Sequence, residues 1–320
     1  MLLAPLPSPA APPPPACVAS RLPLLHRLNA QLDLLPRNRT VLSLVWDIHR
    51  DRSHGVHRAS HNQTEAEARR LHRSVLTVDP LASLVWLVSA SDHAELLGWR
   101  LDRVLLVPLS PPELDAWAAC VGVPRLAHHA GPRLGAIELL APLLRLPTPA
   151  MLVDLDTVAL ARWPLLWPAP TTPAAAWTLA HGVEHRHINS GMLAWATAPE
   201  EAVWLACVAR AALFLTTPPN VSVRAYDPTH LRFGEQAAFV QLCAASRSAE
   251  WRQASGCHLD CFGYSSALYT TGCSPAYHQT PVAAYHYNCY PRGTLERAEQ
   301  LLRHAIDPSY VLPKPAKHLG

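Results

Sequence analysis

Short apolar runs that alternate with helix-forming segments limit, more than any other feature, how this chain can fold. The first half contains four such runs, rich in Val and Leu and bounded by polar or turn-forming residues. Runs of this kind are typical of strands buried on both faces. Because parallel neighbours need a crossover connection, the helical segments between the runs predict parallel pairing. The strands are expected at residues 41–46, 82–89, 103–109 and 151–154.

The alternation changes beyond Asp156. Residues 177–180 and 188–195 resemble strands with no helix between them, and residues 282–287 form a late strand before a final helix. Apolar residues make up 49% of the 320 residues, which is enough for one large core. The sequence therefore predicts an α/β class with a mixed, mainly parallel sheet flanked by helices, as one continuous sheet in a single domain.

The ends of the chain differ from its body in composition. Residues 1–20 carry no charge and contain seven prolines, which predicts a disordered Pro/Ala-rich leader. Residues 21–310 are expected to form the folded domain, and residues 307–320 a tail. No apolar run reaches the roughly 18 residues that a transmembrane helix needs, so no transmembrane segment is expected.

Arginine supplies nearly all of the positive charge. Of the 27 basic residues only Lys314 and Lys317 are lysine, and no G-x-G-x-x-G or Walker stretch occurs. Nucleoside triphosphate hydrolysis of the P-loop kind is therefore excluded. The formal net charge of +3 is too small for the basic footprint of a nucleic-acid-binding protein, so no nucleic-acid partner is expected.

The cysteines and the sequons bear on the compartment. The eight cysteines form no C-x-x-C pair, and the nearest spacing, Cys257 to Cys261, disfavours a zinc site. Disulfides in the C-terminal third would fit an oxidising compartment. A secretory lumen is also favoured by three N-x-S/T sequons, but no basic start or apolar stretch indicates a signal peptide. Cytoplasmic and secretory locations both stay open. The sequons begin at Asn38, Asn62 and Asn220.

The strongest chemical signal is the segment Met151-Leu-Val-Asp154-Leu-Asp156-Thr-Val at the end of the fourth predicted strand. Side chains two residues apart on a strand point to the same side. Open α/β sheets bind ligands outside the carboxyl ends of their strands. Two carboxylates there suit Mg²⁺ or Mn²⁺, which keep positions open for phosphate oxygens. The alternative on these residues alone is an aspartate pair that caps a turn.

Four further segments place polar groups around this strand. Arg133 begins a predicted helix over residues 133–146, where a cation could reach a diphosphate. Asn189-Ser190-Gly191 lies at a strand edge, and Glu235-Gln236 begins a helix with an acid beside an amide. His286 lies between two tyrosines on the late strand. The plainer interpretations are a turn asparagine, an acid favoured by the helix dipole and a core histidine.

The order of these motifs resembles the nucleotide-sugar glycosyltransferases of the GT-A fold, most nearly the glycogenin and family 8 type, over roughly residues 41–303. That family has a basic residue and Leu at a helix start, a strand that ends in D-x-D-T, and an N-[ST]-G segment. An Asp-Gln pair and a late strand with a metal-binding His follow. The resemblance implies a nucleotide-binding half over residues 41–156 and an acceptor half over residues 157–306.

The resemblance also implies roles for individual residues. Asp154, Asp156 and His286 would hold Mn²⁺ (or Mg²⁺) against the diphosphate. The nucleotide sugar, a UDP-sugar by resemblance, would be the co-substrate, and a hexose would pass to a glycan, protein or small-molecule acceptor. The residues implied to face the donor sugar in catalysis are Asn189, Glu235 and Gln236. Those implied to contact the nucleotide and its phosphates are Asp47, Arg133, Asp154, Ser190 and Gly191.

Two departures from the family pattern leave an alternative open. Glu235 stands where the family has Asp, and the signature H-x-x-G-x-K-P-W is not reproduced after His286. A protein of the same fold that binds a nucleotide sugar or a glycan without transferring it fits both changes.

A haloacid-dehalogenase-type phosphatase is a further alternative, because such enzymes also begin with D-x-D after an apolar strand. It is disfavoured because no Asp-Asp and no G-D-x-x-x-D follows Asp156, and no lysine precedes Lys314.

Overall fold

The helices and strands of the chain follow the predicted alternation closely. The computed structural model describes residues 23–36, 39–45, 61–120, 138, 141–160, 178–184, 187–201, 203–207, 249, 253, 260–264, 269–271, 284–287 and 292–313. The helices are α1 (Pro23–Leu32), α2 (His61–Val78), α3 (His93–Gly98), α4 (Pro111–Cys120) and α5 (Arg292–Ile306). The strands are β1 (Thr40–Val45), β2 (Ser83–Ser89), β3 (Val104–Leu109), β4 (Ala150–Val153), β5 (Thr157–Ala159), β6 (Thr178–Glu184), β7 (His187–Trp195), β8 (Asp260–Tyr264), β9 (Tyr269–Thr271) and β10 (Ala284–His286).

Seven strands form the central sheet, in the order β3-β2-β1-β4-β7-β6-β8. Parallel pairs join β1 to β2 and β4, β2 to β3, and β6 to β8. β7 is antiparallel to both β4 and β6. Every residue of β2 is buried, as expected for a strand covered on both faces. The predicted α/β class with a mixed, mainly parallel sheet flanked by helices is confirmed.

Helix α2 covers the middle of this sheet with one apolar face. Ala68, Leu71 and Val75 are fully or almost fully buried, at the spacing that places side chains on one side of a helix. Leu71 and Val75 pack against residues of β1, β2 and β4. Ala68 joins a cluster in which Trp86 and Trp99 meet edge to face with their ring centroids 6.5 Å apart. The core therefore lies between α2 and the parallel strands.

A second, smaller sheet overturns the expectation of one continuous sheet. It has the order β5-β10-β9, with β10 antiparallel to β5 and parallel to β9. The chain leaves the central sheet at residues 154–156, where a turn separates β4 from β5. β5 is then held against α2, because the Ala159 backbone N–H donates to the Ser74 hydroxyl at 3.0 Å.

One helix is shorter than the sequence predicts. The expected helix over residues 133–146 lies largely outside the described residues, but its last part is a single 3-10 turn, Ala141–Leu143. Pro142 lacks a backbone N–H and therefore cannot continue an α-helical hydrogen-bond pattern. The helix expected to begin at Glu235 lies outside the described residues.

Two further observations concern the predictions on transmembrane segments and disulfides. Across the described ranges, no helix combines the length and the apolar character needed to cross a bilayer. Cys207, which is fully buried, is disulfide-bonded.

Candidate metal centre

The strand order indicates where a ligand would bind, at the carboxyl ends of β1 and β4. From β1 the chain adds β2 and β3 on one side, and β4 on the other. Where the strand order reverses, the connections that follow two neighbouring parallel strands run in opposite directions, and open α/β sheets bind ligands in the crevice between these connections. Ser43 of β1 donates a buried hydrogen bond of 2.9 Å to the Val153 carbonyl, which secures the end of β4. Asp154 is the next residue.

Asp154 and Asp156 lie in the turn that follows β4, not on the strand itself. The Thr157 N–H donates to the Asp154 carbonyl at 3.2 Å and closes the turn. The Asp154 N–H donates to the Gly191 carbonyl of β7 at 3.0 Å. The turn, and not the strand pleat that the sequence suggested, therefore brings the two carboxylates to one place.

His286 reaches the same place from the other sheet. In the β5–β10 pairing it lies opposite Thr157, one residue from Asp156. Its Nε2 atom is 3.0 Å from Asp156 Oδ1 and 3.5 Å from Asp154 Oδ2. The side chains of His286, Asp156 and Asp154 are 3%, 18% and 50% exposed. The group is thus buried at the histidine and open to solvent at Asp154.

These three side chains fit a divalent cation. Each offers one ligand atom, and the three atoms lie within 4.8 Å of one another. Metal–oxygen bonds of about 2.1 Å place neighbouring octahedral ligands about 3.0 Å apart, close to the two spacings at His286. Two carboxylate oxygens suit Mg²⁺ and Mn²⁺, and the imidazole adds a ligand that transition metals accept. The exposed side at Asp154 leaves positions for further oxygen ligands.

The opposite side of β10 is apolar and closely packed. Tyr285 and Tyr287 stack with ring centroids 6.4 Å apart, and both are buried with Val158 and Ala298. Burial raises the pKa of Tyr285 to about 12, against the opposing effect of Arg297. Burial likewise raises the pKa of Tyr287, although the positive charge of Arg70 opposes this. Both hydroxyl groups are therefore neutral near pH 7.

The structure also shows the surroundings of the predicted Asn189-Ser190-Gly191 segment. Met192 pairs with Val153 at the end of β4, so the antiparallel β7 carries residues 189–191 past that end and alongside Asp154. The pairing of β6 with β7 shifts register at this point. Such irregularities often occur beside functional sites. Gly191 contacts Asp154 through its backbone. The side chains of Asn189 and Ser190 lie outside the described part.

Four predicted site residues fall outside the described residues: Asp47, Arg133, Glu235 and Gln236.

Sequence reasoning missed a group of buried contacts that begins at Tyr287, next to His286. Arg70 of α2 donates to the Tyr287 hydroxyl at 2.7 Å and pairs with Glu299 of α5. Along the chain, Tyr287 is 217 positions and Glu299 is 229 positions from Arg70. Arg70 and Glu299 look like ordinary polar positions of amphipathic helices, so no local pattern marks them.

Comparisons with known proteins return glycosyltransferases among solved structures. No protein-family model matches the chain, and neither does any curated protein sequence. The apo form of mouse xyloside xylosyltransferase 1 has 14% sequence identity and a TM-score of 0.49, covering 78% of this chain and 98% of its own.

Two other solved structures are similar at the same level. The galactosyltransferase LgtC, in complex with donor and acceptor sugar analogs, has 14% identity and a TM-score of 0.40, covering 87% of this chain and 98% of its own. The bifunctional glycosyltransferase WbbM has 11% identity and a TM-score of 0.48, and the match covers 83% of this chain and 50% of the WbbM chain. At these scores the similarities assign no role to any residue of this chain.

Proposed function

We propose that this chain is a metal-dependent glycosyltransferase of the GT-A type. It moves a sugar from a nucleoside diphosphate sugar, a UDP-sugar by the motif resemblance, to an acceptor. The observation that carries the proposal is the convergence of Asp154, Asp156 and His286 at the crevice between β1 and β4. A nucleotide in that crevice would have its diphosphate beside the two carboxylates.

The chemistry of such a transfer fits this group of side chains. When the glycosidic bond to the diphosphate breaks, negative charge develops on the phosphate oxygen that leaves. A divalent cation, when bound, neutralises that charge as a Lewis acid, an effect worth several kcal/mol. Asp154 and Asp156 bind the cation through carboxylate oxygens, and His286 through Nε2. Because the β5–β10 pairing holds Asp156 and His286 together, the ligands are arranged before the cation arrives.

The remaining roles in the proposal follow from the motif resemblance. Asn189, Glu235 and Gln236 face the donor sugar. Phosphate binding by Arg133 is consistent with a chain nearly without lysine, because the guanidinium group binds phosphate in bidentate fashion. The cation is Mn²⁺ or Mg²⁺. The disulfide at Cys207 favours an oxidising compartment, in which acceptors would include secreted glycans or proteins.

The test is release of nucleoside diphosphate from a panel of nucleotide sugars, with Mn²⁺ or Mg²⁺ and with chelator. We expect one donor to be hydrolysed by the wild type, and Asp156→Asn to lower this rate by about 100-fold or more. Asp33→Asn is the matched control, because it makes the same change at an exposed position beyond the end of α1. It should retain the wild-type rate.

Two results would contradict the proposal. Metal-dependent nucleotide binding without hydrolysis or transfer for any donor would indicate a binding protein of the same fold. Hydrolysis of a simple phosphate ester, with no nucleotide-sugar binding, would indicate a phosphatase.

A further inference from the structure

Behind the metal centre, one buried arginine joins three separate elements. Arg70 of α2 is 8% exposed, and its Nη1 atom donates to the Tyr287 hydroxyl at 2.7 Å in a buried hydrogen bond. Its guanidinium carbon also lies 5.3 Å from the centroid of the Tyr287 ring. Its Nε atom donates to Glu299 Oε1 on α5. We call these contacts of Arg70 with Tyr287 and Glu299 the Arg70 tie.

The Arg70 tie ends directly beside the candidate ligands. Tyr287 follows His286, and its backbone N–H donates to the Asp156 carbonyl at 2.9 Å. One residue, Tyr287, therefore contacts the Asp156 backbone with its main chain and Arg70 with its side chain. Displacement of Tyr287 would move a covalent neighbour of one ligand and a hydrogen-bond partner of the other.

The short strand explains why such support is needed. β10 has three residues, and its pairing with both of its neighbours, β5 and β9, ends at His286. A strand end with so few pairs frays easily, because each lost pair frees backbone entropy of about 1–2 kcal/mol per residue. The tie places a charged hydrogen bond and a ring contact immediately beyond the last pair.

We propose that Arg70 is a positioning residue of the metal centre, acting through Tyr287 to hold His286 at the distance from Asp156 that a cation needs. The inference rests on the proposed function, since it assumes that the three side chains bind a cation. It predicts that loss of the tie weakens cation binding even where the protein stays folded. Outer-shell partners of metal ligands typically contribute about 10- to 100-fold to metal affinity.

The test is direct titration of the full chain with Mn²⁺ in the absence of nucleotide, for Arg70→Gln and Tyr287→Phe. Tyr287→Phe removes only the hydroxyl that accepts from Arg70 and keeps the ring in the core. Both variants should bind Mn²⁺ about 10-fold more weakly than the wild type. In kinetic assays the Mn²⁺ concentration for half-maximal rate should rise, while the KM for the donor at saturating Mn²⁺ stays unchanged.

Arg73→Gln is the matched control. Arg73 is on the same helix and donates to the other oxygen of Glu299 at 2.9 Å, and it is 54% exposed. No contact of Arg73 with Tyr287 is found among the described residues. Its replacement should leave the Mn²⁺ affinity within about twofold of the wild type.

The outcomes separate this inference from the proposed function. If the wild type binds Mn²⁺ and both variants lose thermal stability but keep wild-type affinity, the tie is only structural and the inference is wrong. If the wild type binds no divalent cation, the proposed function fails and the inference fails with it. If Arg70→Gln does not fold, the Mn²⁺ affinity of Tyr287→Phe alone tests the inference, because this variant keeps the aromatic ring packed in the core.

Discussion

Single buried polar groups hold the small sheet in place. The Ser74 hydroxyl donates to the Leu71 carbonyl at 2.8 Å within α2 and accepts from the Ala159 N–H of β5 at 3.0 Å. Both bonds are buried. β5 has only three residues, and this hydroxyl joins the last of them to α2.

At this scale we predict that Ser74→Ala lowers the free energy of unfolding by about 1–3 kcal/mol, because it leaves the Ala159 N–H buried without its acceptor. Urea denaturation would measure the change. Thr77→Ala is the control: the exposed Thr77 hydroxyl donates to the Arg73 carbonyl one turn earlier in α2, and its loss should change stability by at most about 0.5 kcal/mol. Equal effects of the two substitutions would contradict the role given to Ser74.

Helix α4 shows how one carboxylate can serve two elements. Glu113 Oε2 accepts from both the N–H and the hydroxyl of Ser110, which precedes the helix, at 2.8 and 2.7 Å. Glu113 Oε1 accepts from Arg27 of α1 at 2.9 Å. The first contact satisfies a backbone donor at the helix start, as in a capping box, and the second joins α1 to α4.

This arrangement predicts a pH-dependent contribution to stability. Burial opposes ionisation of Glu113, but the bonds from Ser110 and the charge of Arg27 outweigh it and lower the pKa from its ordinary 4.5. A lowered folded-state pKa means that the stabilisation is present above about pH 4.5 and is lost as the pH falls through the folded-state pKa. Glu113→Gln should therefore cost about 1 kcal/mol near pH 7.

The same comparison at low pH provides the check. In urea denaturation the difference between wild type and Glu113→Gln should shrink once the pH is below the lowered pKa of Glu113. A difference that stays constant from neutral to acidic pH would show that the charge of Glu113 contributes nothing.

At the scale of the whole molecule, the candidate metal centre lies where the two sheets meet. Asp154 and Asp156 connect β4 of the central sheet to β5 of the small sheet, and His286 comes from β10. A cation on these three side chains would cross-link the two sheets. The candidate site is thus also a structural junction, and cation binding and folding should be coupled.

We therefore predict that Mn²⁺ stabilises the folded chain. At a free concentration about 100 times its Kd, a ligand that binds only the native state contributes about 2.7 kcal/mol. Thermal unfolding with Mn²⁺ and with chelator would show a rise in Tm for the wild type and for Asp33→Asn. Asp154→Asn should show little or none. An equal rise in all three proteins would place the cation elsewhere.

Much of the fold could be predicted because its signals are local. Apolar runs depend on neighbouring residues, so β1, β2, β3 and β4 occur within one residue of the predicted positions. Short strands were not predicted, because three to five residues carry too little local pattern. β5, β8 and β9 have three to five residues, and their pairing partners, not their own composition, make them strands.

The sequence by itself determined the α/β class and the position of Asp154 and Asp156 at the end of an apolar strand. Family resemblance, not local pattern, joined His286 to them. Only the tertiary structure decided that a turn brings the carboxylates together, that His286 lies on a second sheet, and that Arg70 contacts its neighbour Tyr287. The physical reason is distance along the chain: His286 and Asp156 are 130 positions apart, and strand register and helix packing alone bring such residues together.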